Sequence, residues 1–212
     1  MRRIGLLGGA FDPVHLGHLA IATESVYSAG LEQVWFLPAN QSPGKSPHAA
    51  ASHRLRMLQL ATQDDPLLAI CDLELSRPGP SYTADSVAAL RALHPRTEFA
   101  LILGSDVLLS LESWSRAQWI AEQVELIGVS RPADQPLAEG HPSGLLRGEL
   151  RYNGLDERGG IRFVRGASIL QVPAFGISSQ DIRRRLAENR PVRHLVPSRV
   201  HQYLVASRLY RP

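Results

Sequence analysis

The fold of this chain is decided by the stretch Gly8-Gly9-Ala10-Phe11-Asp12-Pro13-Val14-His15-Leu16-Gly17-His18, which we call the histidine segment. A short apolar run at residues 4–7 precedes it and predicts a strand, and apolar residues at helical spacing follow it. A strand, a glycine-containing turn and a helix start together leave bare backbone open to a phosphate. The N–H groups and dipole of the first helical turn favour an anion there. Because His15 and His18 lie on neighbouring positions of that turn, the segment predicts a site for nucleotide phosphates.

Apolar runs typical of strands alternate along the chain with helical patterns. The predicted strands are residues 3–7, 34–37, 68–73, 99–103, 126–129 and 169–172. The predicted helices are residues 16–29, 50–62, 84–93, 116–123, 179–187 and 198–206. Strict alternation favours an α/β fold with a doubly wound, mostly parallel, Rossmann-like sheet and helices on both faces. Residues 40–49 are expected to form a mobile loop, and residues 131–160 an irregular connection with room for one short helix.

Composition indicates an ordinary globular chain. With 212 residues, 44% hydrophobic and 20% charged, we expect one domain over residues 1–212, with C-terminal helices at about residues 177–207 packed on it. No apolar run reaches the roughly 18 residues of a membrane span, and no signal peptide follows the start, so a cytoplasmic protein is expected. A net charge of +3 gives no ground for a nucleic-acid partner. Cys71 is the only cysteine, which excludes an internal disulfide. The oligomeric state stays open, a homo-oligomer included.

Ligands in such sheets bind beyond the carboxyl ends of the strands, so the residues there are candidates. Asp106 follows the fourth strand and could accept ribose hydroxyls or cap a helix, and Trp114 could stack on a base or anchor the core. Thr83 could cap the next helix or contact a substrate. Ser178, with Asp181 in a capping-box position, opens either a second anion site or a simple surface helix.

Other nucleotide-binding signatures are missing. The histidine segment contains no G-x-G-x-x-G, and no acidic residue ends the second strand at Asn40, which argues against a dehydrogenase. A P-loop is absent as well. His15 and His18 could bind zinc, but no third ligand is apparent nearby, so no metal site is assigned to the protein. The single lysine, Lys45, reflects either a bias toward arginine or a position that needs a compact ammonium.

Five blocks in order carry a family resemblance. They are the histidine segment, Pro80-Ser81-Tyr82-Thr83, Gly104-Ser105-Asp106 with Trp114, Ser130-Arg131-Pro132, and Ile177-Ser178-Ser179 through Arg183. With them the chain resembles the bacterial nicotinate-mononucleotide adenylyltransferases, which belong to the nucleotidyltransferase superfamily with an H-x-G-H motif. The resemblance implies transfer of the adenylyl group of ATP to nicotinate mononucleotide, giving deamido-NAD and pyrophosphate. Related alternatives are an adenylyltransferase that prefers nicotinamide mononucleotide and a non-catalytic adenine-nucleotide sensor.

The resemblance also implies residue roles. His15, His18 and Arg183 would be catalytic. ATP would be bound by Gly8, Gly9, Ala10, Phe11, His15, His18, Gly104, Ser105, Asp106, Ile177, Ser178, Ser179 and Arg183. The mononucleotide would be bound by Asp12, Lys45, Tyr82, Thr83, Trp114 and Arg131. A Mg²⁺ ion is expected, held mainly through the ATP phosphates.

Overall fold

The computed structural model describes residues 1–43, 46–104, 107–108, 110–130, 146–155, 161–171 and 176–211. The strands are β1 (Arg2–Gly9), β2 (Gln33–Pro38), β3 (Leu68–Ile70), β4 (Thr97–Gly104), β5 (Glu125–Ser130), β6 (Leu146–Leu155) and β7 (Ile161–Gln171). The helices are α1 (Leu16–Ala29), α2 (Ala51–Thr62), α3 (Thr83–Leu93), α4 (Ala117–Gln123), α5 (Ser179–Ala187) and α6 (Ser198–Ala206). A short 3₁₀ helix, Leu111–Ser113, precedes α4.

The strands form one sheet in the order β3-β2-β1-β4-β5-β7-β6. Neighbouring strands from β3 to β7 are parallel, and β6 pairs antiparallel with β7. The chain runs outward from β1 to β3 and then crosses back to β4 on the other side of β1. The strand order therefore reverses between β1 and β4, the point at which sheets of this kind bind ligands. Gly9 and Gly104 end these two strands, so the histidine segment begins at the switch point.

Helices cover both faces of the sheet. One face packs on α1, α2, α5 and α6, which contribute Val26, Met57, Ile182 and Val200 to a shared buried cluster. The other face packs on α3 and α4 through residues such as Leu90. The predicted doubly wound α/β fold is confirmed. No helix in the described part of the chain is long and apolar enough to cross a membrane.

Several predicted bounds agree with the structure, and others do not. The predicted helices 16–29, 179–187 and 198–206 have the observed bounds. The third strand was predicted to run over 68–73 but ends at Ile70, because residues 72–77 turn, with Leu75 N–H donating to the Asp72 carbonyl and Arg77 N–H to the Glu74 carbonyl.

The expectation of an irregular connection over residues 131–160 is wrong for its second half. β6 lies there, and β7 begins at Ile161, well before the predicted start at residue 169. The run that forms β6 contains Gly148 and Gly154 and alternates poorly, so its local pattern is weak. The strand is instead stabilised by antiparallel pairing with β7, and the register of this pairing shifts along its length.

Candidate active site

The two histidines form a fixed pair at the start of α1. His15 is the N-cap residue, with extended backbone (φ −144°, ψ 170°), and it is buried. Its backbone N–H donates to His18 Nδ1 over 3.2 Å, and the two rings stack with centroids 3.7 Å apart. The ring of Phe11 meets His18 edge-on at 5.0 Å. Because Nδ1 of His18 accepts a hydrogen bond, the geometry assigns the ring proton to Nε2, which makes Nε2 a donor.

Open space lies in front of the end of β1. Gly8 is exposed, and a Cβ atom placed on it would meet nothing within 4 Å. Gly9 differs, since a Cβ there would lie 3.2 Å from the ring of Phe11. Phe11 itself has a left-handed backbone (φ 49°) that brings its ring toward His18. A ligand can therefore approach bare backbone at Gly8 beside the histidine pair.

The first turn of α1 is partly used by the protein itself. Leu16 N–H donates to the carbonyl of Leu195 at 3.0 Å, and His18 N–H donates to the His15 carbonyl at 2.9 Å. The sequence predicted that backbone N–H groups of this turn would favour an anion. With these two engaged, more of any anion contact falls to the side chains of His15 and His18.

The second predicted anion site, which we call the serine segment (residues 177–183), touches the histidine segment directly. Ser179 Oγ donates to the Pro13 carbonyl at 2.8 Å, and Arg183 Nη1 donates to the Asp12 carbonyl at 2.6 Å. Arg183 has five N–H donors, so donors beyond this one bond exist on the guanidinium. The structure thus brings the starts of α1 and α5 together, although Ser179 and Pro13 are 166 positions apart in the chain.

Ser178 caps α5 as predicted. Its hydroxyl accepts a hydrogen bond from the backbone N–H of Asp181 at 3.0 Å, while Ile177 before it is buried. Asp181 does not complete the expected capping box. Its carboxylate accepts from Arg185 Nε at 2.9 Å and also pairs with Arg184, and these partners lower the pKa of Asp181.

Asp12 faces the protein interior. Its side chain is 4% exposed and accepts three hydrogen bonds, from His48 N–H at 2.6 Å, Ala49 N–H at 3.1 Å and the Tyr210 hydroxyl at 2.6 Å. The predicted contact between Asp12 and the mononucleotide stays a prediction. In this structure its carboxylate joins the histidine segment to two other parts of the chain.

Arg54 is a site residue that the sequence reading missed. It is 1% exposed on α2, and its guanidinium donates four hydrogen bonds to backbone carbonyls. The acceptors are Ala10 after β1, Ala39 and Asn40 after β2, and Ala49 before α2. Burial lowers the pKa of Arg54, and the nearby Asp12 charge opposes this shift. Its spacing of three and four residues from buried Met57 and Leu58 was the available signal.

The segment before α3 is hydrogen-bonded, through Ser81, to the residues that follow β2. Ser81 N–H donates to the Gln41 carbonyl at 2.8 Å, and Asn40 N–H donates to Ser81 Oγ at 3.1 Å. Tyr82, not Thr83, is the N-cap of α3, which corrects the predicted cap. The reason is that the helix begins one residue early, with the Tyr82 carbonyl accepting from Asp85 and Ser86.

A cavity of about 500 Å³ opens beside this segment. Ser81 and Tyr82 are among its lining residues. The lining also carries charges of both signs, Arg77 and Arg116 with Glu74 and Asp85, and Arg116 pairs with Asp85 at 2.6 Å. Trp114 is not among the lining residues. It is partly buried and packs against the core cluster under α3 and α4, so its stacking role stays a prediction.

The remaining predicted residues divide into two groups. Gly104 ends β4 and is partly buried at the switch point. Ser105, Asp106, Lys45 and Arg131 lie outside the described residues. Within the described ranges, no group of three or more His, Cys, Asp or Glu side chains could hold a metal ion.

Comparison with known proteins shows the family to which the chain belongs. A family model described as cytidylyltransferase-like matches residues 6–185, which agrees with the nucleotidyltransferase class indicated by this sheet and its paired helix starts. A protein from Symbiobacterium thermophilum named "Probable nicotinate-nucleotide adenylyltransferase" is 41% identical, over 99% of this chain and 96% of its own length. A protein of the same name from Bacillus pumilus is 34% identical over 99% of both chains. The chain belongs to the nicotinate-nucleotide adenylyltransferase family, as its sequence predicted.

A solved structure supports the fold. The Plasmodium falciparum nicotinic acid mononucleotide adenylyltransferase complexed with NaAD superposes with a TM-score of 0.76 at 19% identity, covering 99% of this chain and 98% of that one. At that identity the likeness concerns the fold alone. It matches the arrangement of sheet and helices described above.

Proposed function

We propose that this protein transfers the adenylyl group of ATP to nicotinate mononucleotide, releasing pyrophosphate and forming deamido-NAD in NAD biosynthesis. The observation that carries the proposal is the direct contact between the histidine and serine segments through Ser179 and Arg183. This contact brings two helix starts, two histidines and an arginine together, and helix starts favour phosphate groups. The names of the relatives supply the choice of acceptor.

The reaction needs alignment and charge stabilisation rather than covalent catalysis. A 5′-phosphate oxygen of the mononucleotide attacks the α-phosphorus of ATP, a new P–O bond forms, and the bond to the β-phosphate bridging oxygen breaks. Its electron pair leaves with pyrophosphate. His18 donates from Nε2 to the oxygens on which charge develops, and His15 supports it through the stacked ring. Ser178, Ser179 and Arg183 hold the leaving phosphates, Ser179 through its backbone N–H, because its hydroxyl donates to the Pro13 carbonyl.

The two nucleosides occupy opposite sides of this centre. Gly8, Gly9, Ala10, Phe11 and Ile177 lie along the ATP phosphates, and Gly104, Ser105 and Asp106 serve the adenosine. Lys45, Tyr82, Thr83, Trp114 and Arg131 bind the mononucleotide. The cavity beside Tyr82, of about 500 Å³, has the size of a site for a small ligand such as a pyridine nucleotide. The contact of Asp12 with the mononucleotide stays a prediction, and its carboxylate also accepts three hydrogen bonds from the protein.

A Mg²⁺ ion fits this site only as part of the bound nucleotide. The described side chains around the phosphate space include the donors histidine, serine and arginine, and the described carboxylates near them, on Asp12 and Asp181, are engaged by other partners. ATP oxygens and water would therefore hold the ion, which would neutralise phosphate charge. We place the enzyme in the cytoplasm.

A comparison of substrates by steady-state kinetics tests the proposal. The purified protein is given ATP or CTP with nicotinate or nicotinamide mononucleotide, and kcat/KM is measured from pyrophosphate release. We expect turnover with ATP and the highest kcat/KM with nicotinate mononucleotide. A higher value for nicotinamide mononucleotide would reassign the acceptor, and tight ATP binding without turnover would indicate a nucleotide sensor.

A further inference from the structure

We propose that Tyr210 is a positioning residue, which holds the histidine segment in its working geometry from the C-terminal tail by a hydrogen bond to Asp12. This inference rests on the proposed function, since it concerns how that site is kept in shape. The tail follows α6 and is far from the histidine segment in sequence, since the two partners are 198 positions apart.

Asp12 is the meeting point of three separate parts of the chain. Its Oδ2 atom accepts from His48 N–H at 2.6 Å, and its Oδ1 atom accepts from Ala49 N–H at 3.1 Å and from the Tyr210 hydroxyl at 2.6 Å. The first two bonds fix the segment that leads from β2 into α2. The third bond adds the tail. Hydrogen bonds to an ionised carboxylate in a buried place are among the stronger ones in proteins.

The same short loop is held from the other side by the serine segment. Arg183 donates to the backbone carbonyl of Asp12, and its guanidinium lies 3.9 Å from the Asp12 carboxylate. Asp12 stands three residues before His15. A shift of the Asp12 side chain therefore moves the loop that sets both the histidine pair and the contact with Arg183, and small misplacements of reacting groups are costly in rate.

The backbone conformation and the burial of Tyr210 hold its hydroxyl at Asp12. Its backbone is left-handed (φ 61°), a conformation that is uncommon for a residue with a side chain and persists where contacts enforce it. Burial and the bond to Asp12 raise the pKa of Tyr210. The phenol thus keeps its proton at all ordinary pH values and donates to Asp12 throughout the working range.

The chain offers a matched control. Tyr203 on α6 also reaches across to the region of α2, where its hydroxyl bonds His53 Nδ1 at 2.7 Å. That bond has nearly the same length and also joins the C-terminal region to the body of the protein, but it makes no contact with the histidine segment. Tyr210→Phe and Tyr203→Phe each remove one hydroxyl and leave the ring in place.

The experiment compares these two variants in the full-length protein. For each we measure kcat, the KM for ATP and for nicotinate mononucleotide, the Tm, and the NMR ring shifts of His15 and His18. We expect Tyr210→Phe to lower kcat about tenfold, the scale of one lost charged hydrogen bond expressed in the transition state. Both KM values should change less than about threefold, because the loss falls on the reacting geometry. The NMR chemical shifts of the His15 and His18 rings should differ from wild type in Tyr210→Phe and match wild type in Tyr203→Phe.

Asp12→Asn changes the other partner of the same hydrogen bond and completes the experiment. In the Asp12→Asn background, Tyr210→Phe should cost clearly less than tenfold, because the two residues act through one bond. Equal kcat in Tyr210→Phe and Tyr203→Phe, or a kcat loss that follows Tm alone without ring-shift changes, would overturn the inference. If the wild-type protein itself makes no deamido-NAD, it is the proposed function that fails, since the ring shifts still report on positioning.

Discussion

Replacing Arg54 by methionine should destabilise the protein strongly, although Arg54 is not itself a predicted ligand residue. Methionine keeps an unbranched apolar side chain but removes the guanidinium that donates to the carbonyls of Ala10, Ala39, Asn40 and Ala49. At about 1.5–3 kcal/mol for each hydrogen bond from a charged group, the gross loss is large. Relief from burying the charge offsets part of it, so the expected net cost is about 3–5 kcal/mol.

That cost is a large share of a typical stability of about 5–15 kcal/mol. At about 2–4 °C per kcal/mol for a domain of this size, Tm should fall by about 6–20 °C. Urea denaturation gives the unfolding free energy, and calorimetry gives Tm. Arg56→Met is the control, because Arg56 is exposed on the same helix and, within the described residues, its guanidinium makes one long bond, to Gln59 at 3.4 Å. An unfolding free energy for Arg54→Met within about 1 kcal/mol of that for Arg56→Met would refute the reasoning.

Three further predictions concern the site. His18→Ala should leave the protein folded, with a Tm lowered by the lost capping bond from His15 N–H, and lower kcat at least about a hundredfold, the scale of losing one preorganised donor; near wild-type turnover in steady-state kinetics would contradict this. Trp114→Ala should mainly raise the KM for the mononucleotide, since stacking is present in the ground state, so an unchanged KM would argue against stacking. Because the pKa of Tyr210 is raised in the folded state, its stabilising effect is complete below the ordinary value near 10 and is lost as pH rises. Above pH 10, wild-type unfolding free energy should therefore fall more steeply than that of Tyr210→Phe, by about 1.4 kcal/mol per pH unit; parallel curves would show that the raised pKa is wrong.

The central part of the fold was predictable because local pattern and tertiary role agree there. The histidine segment follows a buried strand and starts a helix whose bounds, Leu16–Ala29, match the prediction. β6 was not predictable in the same way. Its strand conformation depends on pairing with β7 and not on its own sequence pattern. Tertiary pairing of this kind leaves little trace in a single sequence.

The candidate site divides along the same line. Ser178 could be identified as a cap because capping depends on residues close in sequence. The hydrogen bond between Asp12 and Tyr210 joins residues 198 positions apart, and no local signal reports it. Arg54 was missed because a charged residue on a helix is usually exposed, and only its buried neighbours hinted otherwise.

Product analysis tests the central claim most directly. Wild-type protein is incubated with nicotinate mononucleotide and ATP carrying a label on the α-phosphate, and the products are separated by chromatography. We predict that the label appears in deamido-NAD with one pyrophosphate released per dinucleotide formed, and that folded His18→Ala is slower by at least about a hundredfold. Label that stays in ATP, or that leaves as free AMP without dinucleotide, would contradict the claim that this site transfers an adenylyl group to the mononucleotide.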